Sequence, residues 1–176
     1  MNKKRGYFFV LDAVIGMLMI TIAIVIISSH FVRSPQQTQV KLISDNLLTF
    51  MATTKIVDLN NPYAGLGGEL WKNGTITESG NTLFEQVGYF YEKKDYATAE
   101  KFIQNISREV VPLQFRYEVW INGTIIYPRA PAIEHNISKN ETGLLLASKT
   151  IVFGVLNRTT GDMWGPYRAE VFAWER

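Results

Sequence analysis

Residues 7–32 read YFFVLDAVIGMLMITIAIVIISSHFV, and this stretch decides how the rest of the chain is arranged. Asp12 is its only residue that is certainly charged. As a helix the stretch would be about 39 Å long, whereas the hydrocarbon core of a bilayer is about 30 Å thick. The sequence therefore predicts one membrane-spanning helix near the N-terminus.

Basic residues flank this stretch unequally. Lys3, Lys4 and Arg5 stand directly before it, whereas the loop that follows offers only Arg33 and then Lys41. Because cytoplasmic flanks carry the excess of lysine and arginine, the N-terminus is expected in the cytoplasm. The prediction is a cell-membrane protein with a single span and an extracellular C-terminal domain.

Two other interpretations of the apolar stretch are weaker. The apolar part of a cleaved secretory signal is usually about 7–15 residues and ends near a small-x-small site. This stretch is longer and ends in SSHFVRSP. A buried core helix is also disfavoured, because the remaining chain is too small to surround so evenly apolar a helix.

The sequence KKRG followed by YFFVLDAVIG resembles the class III signal peptide of type IV pilin-like proteins, in particular archaeal pilins and their minor or pseudopilin relatives. The resemblance implies that a prepilin peptidase cuts between Gly6 and Tyr7. It also implies that Asp12 pairs with the new amine while helices pack into a filament. Two features depart from the commonest bacterial pattern: the acid is aspartate, and it lies one residue further from the cut.

The chain is expected to divide into four segments. Ser34-Pro35 disfavours helical geometry and predicts a kink or a brief interruption, after which apolar residues recur at spacings of three and four. The sequence Asn60-Asn61-Pro62 then ends the second helix. The predicted segments are a cationic cytoplasmic leader at 1–6, a transmembrane and assembly helix at 7–33, an amphipathic helix at 34–59 and an extracytoplasmic head at 60–176.

Helices and strands are both predicted in the head. A glycine-rich connector precedes Thr82, and Glu85 follows it at the spacing of a capping box. From residue 115 the apolar period changes to two, placing Phe115, Tyr117, Val119 and Ile121 on one side and Gln114, Arg116 and Glu118 on the other. The fold class predicted is α+β, with a long hydrophobic N-terminal helix followed by helices and an antiparallel sheet of about four strands.

The strand pairing is predicted from one turn and two apolar runs. Asn122-Gly123 is typical of a type I′ hairpin turn, because both central residues of that turn need positive φ. Residues 150–156 (TIVFGVL) and 167–174 (YRAEVFAW) are expected to form two further strands.

Six sites fit the Asn-x-Ser/Thr acceptor of N-glycosylation, whereas chance would give roughly 1.4 in this composition. All of them follow the predicted span, on the side assigned to the outside, and Asn122 also has the turn role. The predicted sites for N-glycans are Asn73, Asn105, Asn122, Asn136, Asn140 and Asn157.

Composition and motifs argue against catalysis and nucleic-acid binding. The net charge is only +2, with 18 basic and 16 acidic residues, so a concentrated basic face is not expected. The chain has no cysteine, and His30 and His135 are far apart, with His135 in a polar loop. No nucleotide-binding or nucleophile motif is present. No catalytic residue, metal ligand or cofactor is therefore predicted.

The favoured function is a pilin-like structural subunit that packs by its N-terminal helix into a filament or pseudopilus for adhesion or surface assembly. Its partners would be the lipid bilayer, copies of itself or other pilin-like subunits, and the prepilin peptidase. One alternative is a permanently anchored glycosylated binding or accessory protein that is never processed. A second, less favoured alternative is an anchored ectoenzyme.

Overall fold

The structure is a computed structural model that describes residues 3–31, 35–108, 110–130, 135–136, 139–140, 144–157 and 159–176. The chain forms two compact units that divide between Thr38 and Gln39. The first is dominated by one long helix. The second comprises residues 39–176, begins before the predicted head at residue 60, and is called the head below. It contains helices and a four-stranded antiparallel sheet, so the predicted α+β fold class is confirmed.

Helix α1 spans Lys3–Phe31 and is 29 residues long. No proline interrupts it, so every backbone N–H beyond the first turn has a carbonyl within reach one turn earlier. The predicted leader is part of this helix from Lys3 onward. The predicted interruption at Ser34 lies outside the described residues, and the next helix begins at Pro35, where the missing N–H is tolerated.

Helix α2 spans Pro35–Thr53, and the prediction that it continues to residue 59 was wrong. After Thr53 the backbone turns away, because the N–H of Ile56 donates to the Asn81 carbonyl at 3.0 Å. A short 3₁₀ helix, Ile56–Asp58, follows. The buried residues of α2 that lie in the head are Val40, Ser44, Leu47 and Met51.

Three helices follow α2 in the head: α3 at Glu69–Lys72, α4 at Leu83–Glu92 and α5 at Tyr96–Ser107. The predicted capping box of α4 is confirmed. The Glu85 N–H donates to Thr82 Oγ1 at 3.2 Å, and the Thr82 N–H donates to Glu85 Oε2 at 2.5 Å. Helix α5 begins in a related way, with Asp95 Oδ1 accepting from the Thr98 N–H at 3.2 Å. These side chains satisfy amide groups that have no partner within the helix.

The sheet consists of β1 (Phe115–Ile121), β2 (Thr124–Tyr127), β3 (Leu146–Asn157) and β4 (Asp162–Glu175). Their order is β2-β1-β4-β3, and all pairs are antiparallel. The predicted hairpin turn is confirmed, because Asn122 and Gly123 have φ of 50° and 80°. Strands β3 and β4 contain the two predicted strands and extend beyond both of them.

One face of the sheet carries the main core. Val119, Ile121 and Val171 belong to the same buried cluster as Phe90 of α4 and Phe102 of α5. The rings of Phe90 and Phe102 meet edge to face, with centroids 5.7 Å apart. Burying one side chain of this size contributes about 1.5–3 kcal/mol, so this layer holds helices and sheet together.

Two glycines allow the buried ring of Trp164 to fit within this core. A Cβ atom on Gly88 of α4 would lie 2.0 Å from Cη2 of Trp164, and one on Gly154 of β3 would lie 2.7 Å from Cζ2. Any larger residue at either position would occupy space that the indole already fills. The indole therefore packs directly against both backbones.

Candidate functional site

The apolar part of α1 is the most informative feature of the N-terminal unit. In the part of the chain that the structure describes, Val10–Ser28 is the one helix long and apolar enough to cross a membrane; it has 19 residues and 0% of it is buried. It is about 28 Å long, close to the thickness of a bilayer core. Met17 and Ile20 are 75% and 63% exposed. The helix is compatible with a membrane anchor or a signal sequence.

Asp12 is an exposed acidic side chain within this apolar segment. Gly6 and Tyr7, the predicted processing site, lie in the first turns of the same helix. Asp12 is about 7.5 Å beyond Tyr7 along the axis and about 140° around it. A carboxylate at such a position costs several kcal/mol in hydrocarbon without a partner, so Asp12 is the side chain of α1 that most needs a cation.

The predicted glycosylation sites differ in accessibility. Five of the six asparagines are exposed: Asn73, Asn122, Asn136, Asn140 and Asn157. Two of these five sit in turns that their own side chains form, because Asn73 Oδ1 accepts from the Thr75 N–H and Asn157 Oδ1 from the Thr159 N–H. In all five, the asparagine side chain is accessible to a modifying enzyme from solvent.

Asn105 is the exception among the six. It lies within α5 and is half-buried, and its Nδ2 donates to the Lys101 carbonyl at 2.8 Å. Ser107, the hydroxyl residue of the same acceptor sequence, is 0% exposed and contacts the Ile103 carbonyl and the Tyr117 hydroxyl. The folded head therefore hides the part of this sequence that an enzyme must recognise.

The side chains of Val119 and Val171 lie on the core face of the sheet. The other face carries buried charge and is called the charged face below. Glu118 of β1 is 2% exposed there, although the sequence placed it only on the side away from the apolar residues. Its Oε2 accepts from Lys139 Nζ at 2.7 Å and from Trp120 Nε1 at 2.9 Å. The ammonium of Lys139 also lies 5.7 Å from the ring centroid of Trp120.

His135 completes this cluster, and the prediction that it lies in a polar loop was wrong. Its ring is buried, with the centroid 4.7 Å from that of Trp174 and Nε2 3.4 Å from Glu118 Oε1. His135 and Lys139 together fix the chain before β3 onto the charged face. Sequence alternation identified the face of Glu118, but nothing local indicated which segment covers it.

A second buried carboxylate lies further along the charged face. Glu170 of β4 is 3% exposed, and its two oxygens lie 2.9 Å from Lys149 Nζ and 3.2 Å from Arg168 Nε. Each carboxylate of the charged face therefore has cationic partners. This arrangement fits a structural role, because removing one partner of a buried ion pair is strongly destabilising.

Burial also sets the ionisation of two side chains in the head. It lowers the pKa of His135 below its ordinary value of 6.5, partly opposed by Glu118, so the ring is neutral at pH 7. Burial likewise raises the pKa of Tyr117 above 10, with Tyr127 acting in the same direction. The neutral forms of both rings are therefore the ones that the fold accommodates.

Comparison with known protein families, curated proteins and solved structures found no match. In the described part of the chain, no group of three or more histidine, aspartate or glutamate side chains is arranged to hold a metal ion. The features of the described chain that bear on function are therefore the chemistry of α1 and the surface of the head.

Proposed function

We propose that the chain is a membrane-anchored, pilin-like structural subunit, with α1 as both anchor and assembly helix and the head on the outer side of the cell membrane. The observation that carries the proposal is the uncovered apolar segment Val10–Ser28, which follows a cationic leader and contains Asp12. In water this segment would expose far more contiguous apolar surface than a soluble protein normally tolerates. Lipid or neighbouring apolar helices would remove that surface from water.

The charges at the two ends of α1 support the orientation. The basic residues before the apolar segment, Lys3, Lys4 and Arg5, remain on the cytoplasmic side. The head is therefore translocated to the outer side of the membrane. The excess of glycosylation sites in the head agrees with this direction, because five of their asparagines are exposed. The surface location of the head is thus part of the proposal.

Asp12 has a specific role in the proposed assembly. Cleavage after Gly6 would give Tyr7 a free, positively charged amine at the start of the helix. Asp12 lies about 140° around the helix from Tyr7, so the amine of a neighbouring subunit is a better partner than the amine of its own chain. Pairing the two charges between subunits offsets the cost of holding each in an apolar environment, and it fixes how far one helix slides along the next.

Mass spectrometry of the native N-terminus tests the processing step. A chain beginning at Tyr7 is the expected result. A chain that retains Met1 or Asn2 throughout would instead support the alternative of a permanently anchored surface protein. An anchored ectoenzyme is the third candidate, and no described cluster of side chains favours it.

Substitution of Asp12 tests the assembly step. Asp12→Ala is expected to leave membrane insertion intact and to abolish incorporation into filaments. Thr21→Ala is the matched control, because the Thr21 hydroxyl is already bonded to the Met17 carbonyl of the same helix at 2.8 Å. Normal filaments containing the Asp12 variant would exclude the proposed pairing.

A further inference from the structure

A turn at the start of β1 exposes one leucine almost completely. Leu113 is 89% exposed, more than any other large apolar side chain among the described residues, including Met17 of α1 at 75%. The turn is closed by a hydrogen bond, because the Phe115 N–H donates to the Pro112 carbonyl at 3.0 Å. Phe115 is only 7% exposed and fixes the turn to the head. An ordered turn therefore holds the apolar side chain of Leu113 in solvent.

This turn lies at the end of the head where the chain arrives from α1. Phe115 belongs to one buried cluster with Val40 of α2 and Ala173 of β4. Val40 follows Phe31, the last residue of α1, by nine residues, and α2 already begins at Pro35. The length of the covalent chain therefore keeps Val40 within about 22 Å of the end of α1. If α1 spans a bilayer, its outer surface is within reach of this turn.

A lipid surface suits the turn better than a protein partner does. A stable protein interface needs about 800 Å² from each partner, far more than one leucine side chain supplies. Insertion of a single side chain into lipid needs no complementary surface, and burying a leucine favours the inserted state by about ten- to hundred-fold. Attachment through α1 also keeps the local concentration of lipid high.

Charge is not expected to determine this contact. Arg108 and Leu113 line the same open cleft at the end of α5, whereas Glu175 pairs with Phe115 in the sheet. Groups of opposite charge therefore lie close to the turn, and neither sign dominates. The apolar side chain is the group that a bilayer would bind, so lipids without net charge should be sufficient.

We propose that Leu113 docks the head on the outer surface of the membrane, with its side chain among the lipid chains just below the headgroups. The proposal rests on the anchoring part of the proposed function and is independent of processing at Gly6 and of filament assembly. Docking would give the head of an anchored chain a second attachment to the bilayer, in addition to α1.

Quenching of a fluorescent label by nitroxide lipids tests the proposal, and the absence of cysteine from the chain allows single sites to be labelled. The full chain is placed in phosphatidylcholine vesicles with the nitroxide near the headgroups, and an NBD group on Gln114→Cys reports on the turn beside the intact leucine. Met163→Cys is the matched control, because Met163 is 62% exposed and lies about 40 Å along β4 from Glu175. Quenching at position 114 should be at least about three-fold greater than at position 163. Equal quenching at the two positions would overturn the proposal.

A second substitution separates the leucine from the label. Adding Leu113→Asn to the Gln114→Cys chain should lower the quenching to nearly that at position 163, because the asparagine side chain gains nothing from an apolar phase. Unchanged quenching would show that the leucine is not the docking group. Emission at position 114 that shifts to the blue only at high protein density would identify a neighbouring head as the partner and exclude lipid.

A label in α1 separates docking from anchoring. Met17→Cys, with the nitroxide at the middle of the lipid chains, reports whether α1 lies in the bilayer. Quenching at position 17 without quenching at position 114 would overturn the docking and leave the anchor in place. No quenching at position 17 would refute the proposed anchoring, and the docking with it.

Discussion

Replacing Gly88 by alanine would place a methyl group where the indole of Trp164 now lies. The added Cβ atom would be 2.0 Å from Cη2 and 2.4 Å from Cζ3 of that ring, whereas ordinary contact begins at 3.4 Å. The ring would have to move by more than an ångström. It cannot retreat easily, because on β3 the backbone at Gly154 is also within close contact of the ring.

The expected cost follows from two opposing effects. Overpacking a filled core typically costs about 1–3 kcal/mol, and this contact is close enough for the upper part of that range. Alanine is favoured over glycine in a helix by about 1 kcal/mol, which partly offsets the clash. The net loss in the free energy of unfolding should be about 2 kcal/mol. For a unit the size of the head this corresponds to a Tm lower by about 8 °C.

Tryptophan fluorescence of the full chain in detergent micelles measures this change in the head alone, because Trp71, Trp120, Trp164 and Trp174 all lie there. Gly80→Ala is the matched control, since a Cβ atom at Gly80 would meet nothing within 4 Å. The control should leave the Tm within about 2 °C of the unsubstituted chain.

A double variant separates the clash from any effect on the helix itself. In a chain carrying Trp164→Phe, the smaller ring leaves room for the methyl group, so adding Gly88→Ala should cost clearly less than it does alone. A Tm for Gly88→Ala equal to that of Gly80→Ala would show that the methyl group does not clash with the indole. An equal cost of Gly88→Ala with either ring at position 164 would exclude the clash as its cause.

Three further predictions concern the helix cap, the charged face and the glycosylation sites. Thr82→Ala should lower the free energy of unfolding by about 1 kcal/mol, measured by urea titration, because Glu85 loses its capping partner. The lowered pKa of His135 adds stability that is present above pH 6.5 and lost as the pH falls, so His135→Gln should flatten the acid side of the stability profile, measured by the same titration. In a glycosylating host, peptide mass mapping should find Asn105 modified in a smaller fraction of chains than Asn73; the reverse order would contradict the accessibility argument.

Local features of the fold were predictable from the sequence. The capping box at Thr82 and the turn at Asn122-Gly123 depend on residues at most three positions apart, so their side-chain chemistry and backbone preferences are visible in a short window. The alternation in β1 also identified which residues share a face. These predictions concern interactions that form wherever the segment is placed.

Features that depend on distant segments were not predictable. The apolar spacing of α2 continues past Thr53, but the bond from Ile56 to the Asn81 carbonyl directs the backbone away from the helix. The burial of Glu118 depends on Lys139 and His135, which follow it by about twenty residues and carry no periodic pattern. A single sequence contains no signal for such contacts until the fold brings them together.

The cleft between the end of α5 and the start of β1, lined in part by Gln104, Tyr117 and Tyr127, was missed for the same reason. Only the packing of α5 against β1 and β2 brings these residues together. The pair of tyrosines that lines the cleft could be suspected from the predicted hairpin, since Tyr117 and Tyr127 lie on its two strands.

Apart from Asp12 and the hydroxyl residues Thr21 and Ser28, the described side chains of α1 are apolar on every side of the helix, and this has a consequence for how α1 can pack among neighbours. An apolar helix makes equivalent contacts with lipid in every rotational orientation. It could therefore rotate about its own axis in a bilayer at little cost in free energy. Asp12 is an exposed charge in this segment, and pairing with a cation would restrict the rotation of α1 about its axis. In the proposed assembly, pairing of this one carboxylate would select one rotation of α1 about its axis, while the other sides of the helix could still contact neighbouring helices.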